Sequence, residues 1–432
     1  MIVRDVIAGV WTSCARKGLW HWIRFAVLLA IGWFAGQALK DSPYLTGLRY
    51  WVYRNQIELS NHGPVYPRRT ALVVLDDDDY WGTDFSGRSP LKRGELAAIL
   101  DRLREAGANT VVLDVDLRAT HSAEPGFKFA DFKDYQDEDS ILLEAVGKMC
   151  DAGRNVVLGA SVFLDGDGYS WIKAPSLFNP SEKRYSCLQA GYLQLPDDLR
   201  LIPGQLDLRD GEKLDSLSLK VVSLINPTAY KWALSKGDRG FHFARYLSKD
   251  DYQPADGRRF VFNWRQLKNT DINSVRRDIA DKVVLIGGAW HANAPEHANM
   301  PGHGPTVDTL PSPVGPLPGV FLHANYIEAL DGERGTFAPV SDTTAEVLEF
   351  SLAIVLALVA ALEIHSGWKW TAFFTSLLLS VILTYVLMEN LGIFLDFLVP
   401  ILILIGHTLV EEVMDMRTEL HHLKHHHERV NS

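Results

Sequence analysis

Four stretches of the chain are almost uninterruptedly apolar, one near the start and three near the end, with a long mixed stretch between them. They run Trp22–Leu39, Val347–Ile364, Trp370–Met388 and Leu391–Val410. Each approaches the ~20 residues that a helix needs to cross a hydrocarbon core. A chain inside lipid must satisfy its own backbone, so each run is predicted helical. Three such helices in tandem, with links as short as Glu389-Asn390, suit a bilayer better than a soluble core. The expected layout is a short N-terminus (1–21), one span, an extracytoplasmic domain over 45–335, three spans, and a tail over 411–432.

Charge near the spans sets the orientation. Arg4, Arg16, Lys17 and Arg24 lie before or at the start of the first run, and Asp41 lies beyond it, with Lys40 and Arg49 diluting the contrast. The positive-inside bias then places the N-terminus in the cytoplasm, and four crossings return the tail there. Trp20, Trp22, Trp368 and Trp370 flank the runs as an aromatic belt would. A cleaved signal peptide is the other reading of the first run, and it too leaves the middle domain outside. Asp396, Glu349 and Glu363 lie near span ends and read as interfacial. The protein is thus expected in the inner membrane, in contact with lipid, with a periplasmic domain.

Within the middle region the pattern alternates between short β-branched runs and helical spacing. Leu45–Ile57 reads as a helix and Ala71–Leu75 as a buried strand, followed by a Gly-rich loop over 81–90. Residues 91–106 have helical spacing and stop at Gly107, a C-cap signal; Thr110–Val115 is a second buried strand. Further readings are a helix at Ile141–Ala152, a strand at Asn155–Val162, an irregular stretch over 164–210 and an apolar segment at Ser216–Leu224. A helix at Pro227–Lys236, strands at Phe260–Trp264 and Lys282–Gly287, a Gly/Pro/His-rich loop to Pro318 and a helix at Gly319–Leu330 complete it. Alternating strands and helices predict an α/β fold with a mostly parallel sheet and right-handed crossovers.

Composition narrows the function. The net charge is −10, so the chain has no basic footprint for nucleic acid. Cys150 and Cys187 share the predicted oxidising side; they either pair or remain two separate buried thiols. Cys14 is expected to be cytoplasmic and free.

Candidate chemistry gathers at predicted strand ends. Asp76, Asp77 and Asp79 follow the first strand, and Asp114 and Asp116 close the second. Ligands bind beyond the carboxyl ends of parallel strands. Converging carboxylates there would suit a divalent cation. Alternatively these aspartates cap helices or bind Arg88, Lys92 or Arg93. His291, His297, His303 and Asp308 share one loop and offer zinc-type donors, against a plain solvated loop. The metal candidates are Asp76, Asp114, His291 and His303. Asn263, Arg265, His323 and Asn325 could line a pocket with Arg93, or satisfy buried backbone instead. No Walker loop, nucleophile elbow, CxxC pair or kinase signature is present, so no enzyme is expected.

These segments carry a family likeness. ALVVLDDDDYW, GRSPLKRGELAAILDRLREAGANTVVLDVDL, FVFNWR, DKVVLIGGAW and Gly315–Asp331 occur in this order. The chain resembles proteins bearing the second-type CHASE domain, the cyclase/histidine-kinase-associated sensory extracellular module, including one span before the sensor and three after it. The resemblance implies an extracytoplasmic sensor whose ligand is generally unknown. Past Val410 only Glu411–Ser432 remain, so a separate cytoplasmic effector is expected to read the signal. The rivals are a structural subunit of a membrane complex and a metal-dependent hydrolase built on Asp76 and Asp114. A homo-oligomer fits any of the three.

Overall fold

The computed structural model describes residues 19–39, 42–59, 66–117, 132–165, 168–171, 183–235 and 241–337, apart from short breaks, and scattered residues from 344 to 420. The chain divides into two compact units, Met1–Ser60 with Ala338–Ser432, and Asn61–Phe337.

The first unit is helical. Helix α1 spans Leu19–Leu39 and α2 spans Pro43–Leu59. Leu29 and Ala353 form a small core flanked by Trp33 and Ile354, and the Trp33 and Phe350 rings meet edge to face at 4.9 Å. An apolar cavity of about 530 Å³ is lined by Ala26, Leu29, Trp33, Phe34, Val347 and Phe350. Among the described residues no helix is long and apolar enough to cross a membrane. Residues 347–354 and several of 374–387 are helical; most of the predicted last span and tail lie outside the described residues.

The second unit is an α/β layered domain. Its elements are β1 (Thr70–Leu75), α3 (Asp77–Tyr80), α4 (Arg93–Ala106), β2 (Thr110–Asp114), α5 (Phe132–Asp151), β3 (Asn155–Ala160), β4 (Leu188–Tyr192) and α6 (Leu217–Ile225). They continue with β5 (Val261–Phe262), α7 (Trp264–Asn269), α8 (Ile272–Ile279), β6 (Val283–Gly288) and α9 (Gly319–Asp331). The strands form one sheet in the order β5-β1-β6-β2-β3-β4, and all five pairings are parallel. A parallel sheet needs helices on both faces. Helices α4, α5 and α8 pack together on one side, and α6 and α9 on the other. The strand interiors are accordingly apolar, with Leu72, Val73, Val112, Leu113, Val157 and Leu285 fully buried.

Local signals fix the element ends. Gly107 adopts φ 85° and its N–H returns to Arg104 and Leu103, a left-handed stop that a side chain would strain. Ser216 caps α6, and Asn263 with Gln266 forms a capping box on α7.

Two expectations are corrected and one element was not expected. The expected loop over 81–90 is a run of turns in its described residues, and ahead of it Asp77–Tyr80 forms the unexpected helical turn α3, capped by Asp76. The stretch read as irregular supplies β4 and the hairpin Val162–Asp165 with Gly168–Trp171. The Gly/Pro/His-rich loop contains two hairpins, His291–Asn293 with His303–Thr306 and Thr309–Ser312 with Gly315–Pro318. Cys150 and Cys187 are disulfide-bonded, tying the end of α5 to the start of β4.

Candidate functional site

The carboxyl ends of β5, β1, β6 and β2 share one edge of the sheet, where open parallel sheets bind ligands. Strand β6 lies between β1 and β2. Asp76 and Asp114 are therefore not on neighbouring strands, and two strand spacings, roughly 10 Å, part their backbones. Two separate polar groups occupy the edge instead of one converging set.

The first group surrounds α3. Asp76 accepts from the Asp79 N–H at 3.1 Å and from Asn263 Nδ2 at 2.8 Å. Asp79 is buried and accepts the backbone N–H groups of Trp264 and Arg265 at 2.8 and 3.0 Å. Burial, reinforced by Asp76, pushes its carboxyl up to about 6 against those two bonds. Asp78 is exposed and pairs with Arg265. Asp77 accepts from His291 N at 2.7 Å, His291 Nδ1 at 2.7 Å and Gly302 N at 2.9 Å. Burial alone would raise this carboxyl, but the backbone bonds and the His291 ring hold it below its ordinary value. These bonds fasten the His291–Thr306 hairpin to the end of β1. The Tyr80 and Trp290 rings stack beside it at 4.1 Å, and Trp81 Nε1 donates to the His291 carbonyl.

The second group lies at the end of β2. Asp114 is buried, and its Oδ2 has no hydrogen-bond partner among the described residues. Its Oδ1 stands 3.6 Å from Nε2 of His323, itself 1% exposed on α9. Ser218 of α6 touches His323 twice, at the ring Nδ1 (3.3 Å) and at the carbonyl oxygen (3.2 Å). Asp308 approaches from an exposed turn at φ 53°, with its carboxyl folded back on Gly319, the first residue of α9. A Cβ at Gly319 would lie 2.1 Å from Asp308 Oδ2, so any side chain there displaces the Asp308 carboxyl. Burial lifts Asp114 to about 7. Burial lowers the His323 ring to about 4 although Asp308 and a Leu193 backbone bond pull the other way. At Asp308, desolvation of the carboxyl followed by the Asp114 charge gives about 6.

The remaining candidates are committed elsewhere. Arg93 is buried against Asp139, and its N–H is taken by Glu138, which also binds Arg88. Arg88 and Arg93 thus pair with α5 and not with Asp76–Asp79. Asn325 bridges the Leu247 backbone in both directions and the Phe321 carbonyl. Asp116 is half-buried past the end of β2. His303 is exposed and 3.5 Å from Glu296. Among the described residues no three His, Cys, Asp or Glu side chains gather as a metal site, so Asp76, Asp114, His291 and His303 do not assemble one.

Sequence reasoning missed Ser218 and Glu328. Glu328 is buried on α9 and accepts from the N–H groups of Arg68, Arg69 and Thr70 and from the Thr70 hydroxyl. No spacing signal could have found it, since its partners lie 258 to 260 positions away. Helix α9 is therefore held at both ends, by Glu328 against the start of β1 and by His323 beside the end of β2.

A family model described as CHASE2 domain matches residues 25–362. No curated protein and no solved structure matches the chain.

Proposed function

The chain belongs to the CHASE2 domain family, a family of sensory extracellular domains, and on that premise we propose that it is a membrane-anchored sensor whose α/β unit faces the extracytoplasmic side. The four apolar runs support the anchor, each near the ~20 residues that span a bilayer. The Cys150–Cys187 disulfide supports an oxidising compartment. The signal enters at the polar edge of the sheet and leaves through α9, the last helix before the chain re-enters the helical unit at Ala338. A separate cytoplasmic effector reads it.

The observation that carries this reading is the placement of α9. It bears His323 at the polar edge, Glu328 at the opposite end of β1, and the covalent exit from the unit. A signal shifts such a device only by binding its two states unequally. Hydrogen exchange over α9 in the full-length protein tests this, across divalent cations, small anions and pH. A sensor changes α9 protection with at least one condition. Protection that never changes while the protein stays folded rejects the reading.

A further inference from the structure

We propose that Asp114 and His323 form a buried site for a single proton, and that loss of this proton loosens α9 from the sheet. The inference goes beyond the sensory reading and does not depend on it, because it concerns only the closed packing of the α/β unit.

We assign the tautomer from the two Ser218 contacts. A serine hydroxyl has one proton. Ser218 Oγ donates it to the His323 carbonyl at 3.2 Å. Toward the ring Nδ1, 3.3 Å away, Oγ can then only accept. On this assignment Nδ1 carries the ring proton, with the Leu193 backbone as a further partner of the ring, and Nε2 of the neutral imidazole is a lone pair. That lone pair faces Asp114 Oδ1 at 3.6 Å. Two acceptors face each other in a site from which water is excluded. They repel unless one proton lies between them, and 3.6 Å is too long for a hydrogen bond until that proton draws them together.

Among the described residues no other group neutralises Asp114. Asp114 Oδ2 has no hydrogen bond, and on that side lies Gly287 of β6, where a Cβ would come within 3.3 Å. From α6 the pair meets the neutral Ser218, and from the end of β4 the Leu193 backbone. From the turn before α9 comes Asp308, another carboxyl, itself raised by desolvation and then by the Asp114 charge. On α9 itself Tyr326 stands edge-on to the His323 ring at 6.1 Å. The burial shifts agree on where the proton sits: Asp114 is pushed up and His323 down, so the acid holds it.

Loss of the proton has a defined mechanical outlet. Helix α9 packs so closely on β6 that a Cβ at Gly287 would lie 2.6 Å from Val320 Cβ. A bare carboxylate opposite the Nε2 lone pair pushes on this same turn of α9. Relief requires α9 to lift and admit water to Asp114.

The test follows thermal unfolding of the purified full-length protein from pH 5 to 9 in EDTA, with no ligand or partner added. The wild type is expected to lose roughly 5–10 °C in melting temperature between pH 5 and 8. Asp114→Asn, an isosteric stand-in for the protonated acid, removes the part of this dependence above pH 6, leaving what Asp79 and Asp308 supply below it, and melts above the wild type at pH 8. His323→Gln, whose amide can donate to the carboxylate, moves the midpoint to lower pH. If Asp114→Asn does not fold, infrared titration of the wild type still decides: a protonated-carboxyl band that fades near pH 7 supports the site. An undiminished pH dependence in Asp114→Asn overturns the proposal. So does a carboxylate already ionised at pH 5, or stabilisation by calcium or magnesium that disappears in Asp114→Asn, which would make the occupant a cation. None of these negative results bears on the membrane topology or the sensory role.

Discussion

Replacing Glu328 by alanine probes the latch between α9 and the sheet. The carboxylate accepts four hydrogen bonds, from Arg68 N (3.1 Å), Arg69 N (2.8 Å), Thr70 N (2.7 Å) and Thr70 Oγ1 (2.8 Å). Thr70 is fully buried, so its N–H is stranded when the carboxylate goes. The Thr70 hydroxyl keeps Tyr252 as a weak partner at 3.4 Å. Arg68 and Arg69 are exposed enough for water to replace their bond. One fully stranded donor costs about 1–3 kcal/mol, and the vacated side-chain volume adds to that, for a total near 3 kcal/mol. At ~2–4 °C per kcal/mol for a unit of this size, the melting temperature should fall by about 6–12 °C. Glu328→Gln keeps the volume and one acceptor and should fall between. Differential scanning calorimetry on the full-length protein measures all three. A loss below about 2 °C for Glu328→Ala would refute the latch, since the stranded groups would then have found other partners.

Three further outcomes are expected. Breaking the Cys150–Cys187 bond, whose partners are 37 residues apart, should destabilise the unit by about 4 kcal/mol on the chain-entropy account, read from denaturant melts of Cys150→Ser/Cys187→Ser. Asp77, held below its usual range by burial-opposing bonds to His291 and Gly302, should fasten its hairpin above pH ~4 and release it as the pH falls through the lowered value. Limited proteolysis within residues 291–306 should therefore rise on acidification in the wild type and be high throughout in Asp77→Asn. Leu72→Ala, at a fully buried position of β1, should cost about 2–5 kcal/mol in the same melts.

Much of the fold was legible because its signals are local. The runs Ala71–Leu75, Thr110–Val115 and Lys282–Gly287 are short, apolar and β-branched, and each is a central strand. Gly107 marked the end of α4 because only a left-handed stop fits there. Strand order was not legible: β6 inserts between β1 and β2 from 169 residues downstream of β2, and nothing in its own sequence says where it pairs. That single fact separates Asp76 from Asp114 and dissolves the expected carboxylate cluster. Strand β4 was missed because Leu188–Tyr192, LQAGY, is an edge strand with Gln189 and Gly191 in it and no apolar run. At the site, the aspartates were visible as a string, but their partners are backbone N–H groups and a histidine more than 180 positions away. His323 was visible as a candidate; its pairing with Asp114 and Ser218 is a product of packing α6 and α9 on the same face.

The most direct measurement of the central claim is labelling of single introduced cysteines by a membrane-impermeant thiol reagent in sealed, right-side-out membranes. Lys213, about half exposed on the α/β unit, and Arg16, ahead of the first apolar run, are the two positions. An outward-facing sensory unit on a cytoplasmically rooted anchor requires Lys213→Cys to react at once and Arg16→Cys only after the membrane is opened. Reaction of both from the same side, or of Lys213→Cys only after lysis, would contradict it.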